Sequence, residues 1–160
     1  MIVVGQLLLL VLIANGAPVI ARYLLGRRWG RALDGGRLFV DGRPWLGPSK
    51  TIRGIAAALL CTSVAAVVIG LPASIGLQVA LGAMLGDLLS SFTKRRLGIP
   101  SSAMALGLDQ IPEVLIPALL VSPELGITPL GIVGVVTAFV VLGLVLSRIL
   151  FALNIRRRPF

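Results

Sequence analysis

A chain of 160 residues that is 57% hydrophobic and only 13% charged, with a mean hydropathy of +1.02, has too little polar composition to cover a soluble fold of its size. The class is integral membrane, so the formal net charge of +9 reads as basic loops facing an anionic leaflet, with no nucleic-acid partner expected. The absence of histidine excludes His-ligated zinc, Ser–His triads and histidine proton relays, and the single cysteine, Cys61, excludes an intramolecular disulfide. Lying in an apolar run, Cys61 is expected to be a packed thiol.

The first apolar run covers residues 2–21, close to the ~20 that a spanning helix needs. No basic stretch precedes it, and it holds Asn15 and Pro18, so a retained span is expected rather than a cleaved signal. A long loop follows over residues 22–53, with eight basic residues and two acids, Asp34 and Asp41. Asp34-Gly35-Gly36 and Asp41-Gly42 are turn signals, and Leu38-Phe39-Val40 with Arg43-Pro44-Trp45 predicts a short hairpin whose second arm Pro44 confines to an edge. Trp29 and Trp45 suit the headgroup level.

The second span is predicted over 54–71, ended by Pro72, and the third over 75–92. In the third, Gly82 and Gly86 are spaced for close approach of a neighbouring helix. Residues 111–121 are apolar but interrupted by Pro112, Glu113 and Pro117. With 106–110 added they make a short fourth helix of ~24 Å, which would thin the bilayer or line a cavity. The last span, 128–153, is long and uninterrupted. The expectation is one all-α membrane domain over residues 1–160, with five transmembrane helices and a long cytoplasmic loop between the first two. Charge supports the count: with five spans, the loops 22–53 and 93–110 and the tail after 153 fall on one side. Those segments, with Arg148 near the end of the last span, hold every Lys and Arg. By the positive-inside rule this puts the protein in the cell membrane with its N-terminus outside and the basic side in the cytoplasm.

Chemistry concentrates on that basic side, in three groups. Residues 47–54 (Gly-Pro-Ser-Lys-Thr-Ile-Arg-Gly) open the second span. Gly86-Asp87 through Arg96 closes the third, with Asp87, Ser91 and Lys94 at i, i+4 and i+7 on one helix face. Asp109-Gln110, with Glu113 one turn on, opens the fourth. The first group is not a phosphate-binding P-loop, because Lys50 comes two residues late after Gly42 and Gly47 and no strand precedes it. A Gly/Pro turn that opens a helix with a lysine and a hydroxyl still suits phosphate. An acid inside a spanning helix costs roughly 2.5–3.5 kcal/mol to insert, which marks Asp87 as functional or paired. Taken singly, Asp109 is a helix cap, Glu113 snorkels or ion-pairs, and the two basic clusters are topological stops. Jointly, Asp87 and Asp109 are the paired carboxylates that a Mg²⁺ site needs beside phosphate oxygens. Lys50, Arg53, Lys94 and Arg95 can neutralise phosphates, and Ser90 or Ser91 can donate a hydrogen bond.

These residues carry a family likeness. Gly86-Asp87 with Ser91 and Lys94-Arg95, followed by Asp109, resembles the signature of the CTP-dependent lipid cytidylyltransferases, and Pro48-Ser49-Lys50-Thr51 with Gly54 is similar to that family's upstream Lys-Thr segment. Within the family the chain most resembles the small CDP-archaeol synthases, through Asn15 to Pro18, Asp41-Gly42-Arg43, Lys94-Arg95-Arg96-Leu97-Gly98 and Leu108-Asp109-Gln110. It departs from them at Ile52, where the archaeal members carry Trp, and at Pro112-Glu113. It also lacks the second Lys-Asp and the His-Gly-Gly of the larger bacterial phosphatidate enzymes.

The resemblance implies a reaction in which CTP and a membrane lipid phosphate give a CDP-activated lipid and pyrophosphate with Mg²⁺, the lipid being archaeal ether or diacyl. It implies Asp87 and Asp109 as metal ligands and, with Lys94, the catalytic set. Lys50, Thr51, Arg53, Ser91, Lys94 and Arg95 would bind CTP and lipid phosphate. A small transporter of an anion or lipid phosphate and a non-catalytic membrane subunit are the rival expectations. A homo-oligomer is left open.

Overall fold

The structure, a computed structural model, describes residues 2–26, 28–101, 105 and 107–152. Within them the chain forms five helices and no strand: α1 (Ile2–Leu25), α2 (Ile52–Val68), α3 (Ala73–Arg96), α4 (Gln110–Leu125) and α5 (Pro129–Ala152). By length and composition α1 and α3 are apolar enough to cross a membrane.

Local chemistry sets most boundaries. Thr51 caps α2, its Oγ1 accepting the Gly54 N–H at 3.1 Å with extended backbone at the cap. Pro72 precedes α3, and α4 ends on Gly126 in the left-handed region (φ 62°). Several predicted ends move: α2 stops at Val68 rather than 71, and α3 runs from Ala73 to Arg96 rather than over 75–92. α1 continues four residues past 21 to Leu25, because nothing between Arg22 and Leu25 breaks a helix. α4 starts at Gln110 and runs to Leu125, four residues beyond the predicted 121. Ser122-Pro123 does not stop it, because the Ser122 hydroxyl donates to the Leu119 carbonyl (3.1 Å), the acceptor that Pro123 leaves unpaired. The start predicted at Leu106 lies outside the described residues.

α3 is the central helix, packed on α2 along one side and on α4 along the other, with α1 against α2 and α3 and α5 against α1 and α4. The predicted close approach at Gly82 and Gly86 is to α4. A Cβ at Gly82 would lie 2.7 Å from the Pro117 Cα, and one at Gly86 only 2.2 Å from the Pro112 carbonyl oxygen. The prolines that interrupt α4 are thus the residues α3 presses against. In one half of the bundle Leu7, Leu10, Val11, Ile75, Val79, Val114, Val121 and Val135 are fully or almost fully buried. That far end is tied by Gln6 Nε2 to the Ile69 carbonyl (2.9 Å) and by Gln78 Nε2 to Glu124 (2.7 Å). Toward the other end the core thins to Ala14, Ala58, Ala83 and Met84.

Above these small residues the 26–51 loop folds back over the helix ends. The predicted hairpin is present in minimal form, as one antiparallel bridge between Leu38 and Pro44 with the Phe39 N–H on the Arg43 carbonyl (2.8 Å). Trp45 stacks with Phe39 and Phe92. Cys61 is not packed but exposed, in an apolar groove that α2 shares with α1.

Candidate active site

The ends of α3 and α4, the start of α2 and the last turns of α1 enclose a cavity of about 880 Å³. This is near the top of the ~300–1,000 Å³ range of small-molecule sites. All eight residues singled out from the sequence line it: Lys50, Thr51, Arg53, Asp87, Ser91, Lys94, Arg95 and Asp109. The i, i+4, i+7 face of α3 therefore forms one wall, as its spacing predicts.

Two ion pairs cross the cavity between elements. Lys50 Nζ donates to both oxygens of Asp87 at 2.5 and 2.6 Å, joining the start of α2 to α3. Lys94 Nζ lies 2.7 Å from Asp109 Oδ1, joining α3 to the start of α4. Asp109 occupies the cap position of α4 but makes no side-chain cap. Its Oδ2 instead accepts the Ala105 N–H at 2.9 Å. Arg95 is buried, and its Nε has no partner among the described residues. A buried guanidinium with an unpaired donor costs stability unless an anion completes it. Ser91 is buried at the same level, while Ser90 donates to the Gly86 carbonyl (2.5 Å) and is a helix-internal bond. Thr51 and Arg53 hold structural contacts: Thr51 caps α2, and Arg53 Nη1 donates to the carbonyls of Gly26 (3.0 Å) and Arg28 (2.6 Å).

The loop is held over the cavity by charges whose role the sequence reading did not assign. The Asp34 carboxylate accepts N–H groups from Gly36 and Leu46 at 3.0 Å and from Gly47 at 2.8 Å. Its partial burial pushes the carboxyl up, and the backbone donors, Gly47 foremost, more than offset this and hold it below the usual 3.8. Arg96 pairs with Asp41, donates to the Pro44 carbonyl (2.6 Å) and lies over the rings of Phe39 and Phe92. Arg43 Nη1 returns to the carbonyl of Arg96 at 2.7 Å. Asp41 is exposed: the slight desolvation it feels is outweighed by the Arg43 N–H and by Arg96, which hold its carboxyl below the usual range.

Glu113 is a further carboxyl in the cavity, beside Asp87. Its signal was present in the sequence, since it stands at i+4 from Asp109 and so on the same helix face. Arg22, from the last turns of α1, also lines the cavity.

Five helices around a polar cavity that mixes carboxyls with buried cations define an intramembrane enzyme. A solved structure described as an intramembrane enzyme for archaeal membrane lipids biosynthesis superposes with a TM-score of 0.75 at 36% identity, covering 94% of this chain and 92% of that one. The sequence profile of the family described as CarS-like, CDP-archaeol synthase, matches residues 71–160. A CDP-archaeol synthase of Aeropyrum pernix is 37% identical over 162 residues, 96% of this chain and 89% of its own length. One of Hyperthermus butylicus is 44% identical over 106 residues, 62% of this chain, and that match spans 60% of the relative's length. The chain belongs to the CarS-like family of CDP-archaeol synthases, as its motifs implied, and is by class a CTP-dependent nucleotidyltransferase.

Proposed function

We propose that the protein transfers the cytidylyl group of CTP to the phosphate of an unsaturated archaeal ether lipid, giving CDP-archaeol and pyrophosphate. The observation that carries this reading is the convergence of Asp87, Asp109 and Glu113 with Lys50, Lys94 and the buried Arg95 in one cavity at the basic end of the bundle. The names of the relatives supply the archaeal lipid.

An oxygen of the lipid phosphate attacks the α-phosphorus of CTP. A new O–P bond forms as the bond to the β-phosphate oxygen breaks, and its electron pair leaves with pyrophosphate. No proton has to be removed, because a phosphomonoester is already anionic at neutral pH. The protein's work is therefore orientation and charge stabilisation. Lys50, Lys94 and Arg95 hold phosphate oxygens, and Ser91 donates a hydrogen bond. Thr51 and Arg53 shape the wall from which Lys50 projects.

Mg²⁺ fits the donor set. Two carboxylates from different helices, with room for phosphate oxygens and water, suit a hard octahedral cation that seldom takes an all-protein cage. Among the described residues no group of three or more His, Cys, Asp or Glu forms such a cage. Asp87 and Asp109 would hold the ion, which when bound neutralises charge on the triphosphate.

In this reading the chain is one membrane domain whose five helices all cross the cell membrane. The N-terminus is outside, and the cavity opens to the cytoplasm, where CTP is available. The apolar packing beneath the cavity, from Leu7 to Val121, speaks against a through-path for an anion. A mixed-micelle assay with labelled CTP, Mg²⁺ and either an archaeal ether-lipid phosphate or phosphatidate tests the reading. CDP-lipid should form faster from the ether lipid, and no product from either lipid would refute the activity. Asp87→Asn should lower turnover by about 10²–10³-fold, the scale of losing one preorganised charge-stabilising group. Unchanged turnover in that variant would remove Asp87 from the metal site.

A further inference from the structure

We infer that Arg22 is the receptor for the lipid phosphate, separate from the wall that takes the nucleotide, and that the exposed apolar stripe Leu12–Val19–Tyr23 beside it receives the hydrocarbon chain. The inference rests on the cytidylyltransferase reading and assigns its second substrate a place.

The cavity walls are chemically unequal. Every carboxyl that lines it comes from α3 or α4, namely Asp87, Asp109 and Glu113. A metal-bound triphosphate belongs against that wall, where Arg95 also lies. In-line displacement requires the attacking and leaving oxygens on opposite sides of the α-phosphorus. With the triphosphate on the α3/α4 side, the lipid phosphate comes from a wall without carboxyls, and of the two, the start of α2 has Lys50 bound to Asp87 and Arg53 bound to carbonyls, which leaves α1.

On α1 one cation faces the cavity. Arg22 lies seven residues from Asn15, on the same helix face, and both line the cavity. The other lining cations belong elsewhere: Lys50 and Lys94 are paired with carboxylates, Arg53 with two backbone carbonyls, and Arg95, buried on α3 near Asp109, lies on the nucleotide wall. All six acids of the chain lie among the described residues, and none of them forms an ion pair with Arg22. A planar guanidinium presents two parallel N–H donors, the geometry that grips a phosphate.

The neighbouring face of α1 suits what is attached to that phosphate. Leu12, Val19 and Tyr23 recur at i, i+7 and i+11, and they are 39%, 68% and 87% exposed. Val19 belongs both to this stripe and to the cavity lining. A phosphate on Arg22 and a chain along Leu12 to Tyr23 can therefore be one molecule entering sideways from the bilayer. A lipid with no phosphate lacks the partner for Arg22, and a free phosphate lacks the partner for the stripe.

The test uses the full chain in nanodiscs, with Arg22→Gln and Arg22→Lys beside the native protein. The probes are a spin-labelled ether-lipid phosphate and its dephosphorylated alcohol, with Mg²⁺–CTP binding measured calorimetrically in parallel. Arg22→Gln should weaken lipid-phosphate binding by about ten- to a hundredfold, the size of a lost hydrogen bond to a charged group. Arg22→Lys should recover part of it. Binding of the alcohol and of Mg²⁺–CTP should not change, and in the enzymatic assay only the KM for lipid phosphate should rise. Inorganic phosphate should not displace the probe. Equal binding by Arg22→Gln and the native protein, an equal loss for Mg²⁺–CTP, or displacement by inorganic phosphate would each overturn the assignment. The two readings fail separately: if the native protein bound lipid phosphate through Arg22 yet formed no CDP-lipid, the site would stand and the activity would fall.

Discussion

The two ends of the bundle are held together by different physics. At the apolar end, side chains such as Leu10, Val79 and Val121 are fully buried, and the backbones of α3 and α4 are pressed together at Gly82 and Gly86. In lipid there is no hydrophobic drive between helices, so close contact of small residues does the holding. At the basic end the floor is small residues, and the links above it are polar and distant in sequence. Arg43 meets Arg96, Arg96 meets Asp41, Lys50 meets Asp87 and Lys94 meets Asp109. The irregular backbone and charge there line the polar cavity. Packing fixes the frame, and charge fixes what the frame presents. Gly86 and Asp87 stand at the junction, one residue belonging to each regime.

The largest predicted effect strikes that junction. Gly86→Val places a Cβ against the Pro112 carbonyl, with backbone on both sides of the clash and no flexible side chain to yield. α3 and α4 must separate, at a cost of about 3 kcal/mol or more, above the usual range for overpacking. Asp87 then loses its contact with Glu113, so activity should vanish together with thermal stability in detergent. Gly16→Ala is the control: a Cβ there meets nothing within 4 Å, and it should be neutral or slightly stabilising. A folded, active Gly86→Val protein would show that the close crossing is not what aligns the acids.

The same division explains what the sequence revealed. The apolar runs and the Gly82/Gly86 spacing exposed the helices and their tight crossing, because burial and small size are written locally. The eight residues singled out all line the cavity, and they were legible as polar groups gathered at the ends of apolar runs. Partners were not legible. That Lys50 would meet Asp87 and Lys94 meet Asp109 depends on how three helices are juxtaposed. That Arg53 would be occupied by the carbonyls of Gly26 and Arg28 depends on the loop's path. Glu113 was expected to snorkel or ion-pair, because its place beside Asp87 depends on how α3 and α4 meet. The end of α4 was misjudged for a similar reason, a proline whose orphaned carbonyl is satisfied by the serine before it.

The second prediction breaks the charged end without touching the packed one. Arg96→Ala removes the bond to the Pro44 carbonyl, the pair with Asp41 and the stacking on Phe39 and Phe92. From one charged hydrogen bond and two partly exposed cation–π contacts the loss should be about 1–3 kcal/mol. It should appear as faster protease nicking within residues 26–51, while the helices keep their protection. Arg96→Lys should recover only part, because an ammonium lacks the planar fork that reaches both Asp41 and Pro44. Asp41→Asn should have a smaller, salt-sensitive effect, as expected for an exposed pair. Unaltered cleavage in Arg96→Ala would show that the loop holds to the bundle by other means.

The smallest effect isolates a single turn of the loop. Asp34 gathers the N–H groups of Gly36, Leu46 and Gly47, and Lys50 lies three residues beyond the last of these. Its carboxyl is held below 3.8 because these donors bond to the charged form and outweigh the desolvation that pushes it up. The sign follows: a carboxylate with a depressed folded value adds stability that is fully present above the unfolded value. That contribution is lost as the pH falls through the folded value. The amides of Leu46 and Gly47 should therefore stay protected from hydrogen exchange, after correction for intrinsic rates, down to about pH 4 and lose protection below it. In Asp34→Asn the one remaining side-chain oxygen can keep Leu46 and Gly47 at the Oδ2 position, but without charge and with an NH2 turned toward the Gly36 N–H, so protection should be lower at neutral pH and nearly flat in acid. Amides buried between α3 and α4 should show neither change, since no titrating group holds Gly82 against Pro117. If Asp34→Asn and the native protein lost protection along the same acid curve, the turn would owe its order to the Leu38–Pro44 bridge rather than to this carboxylate.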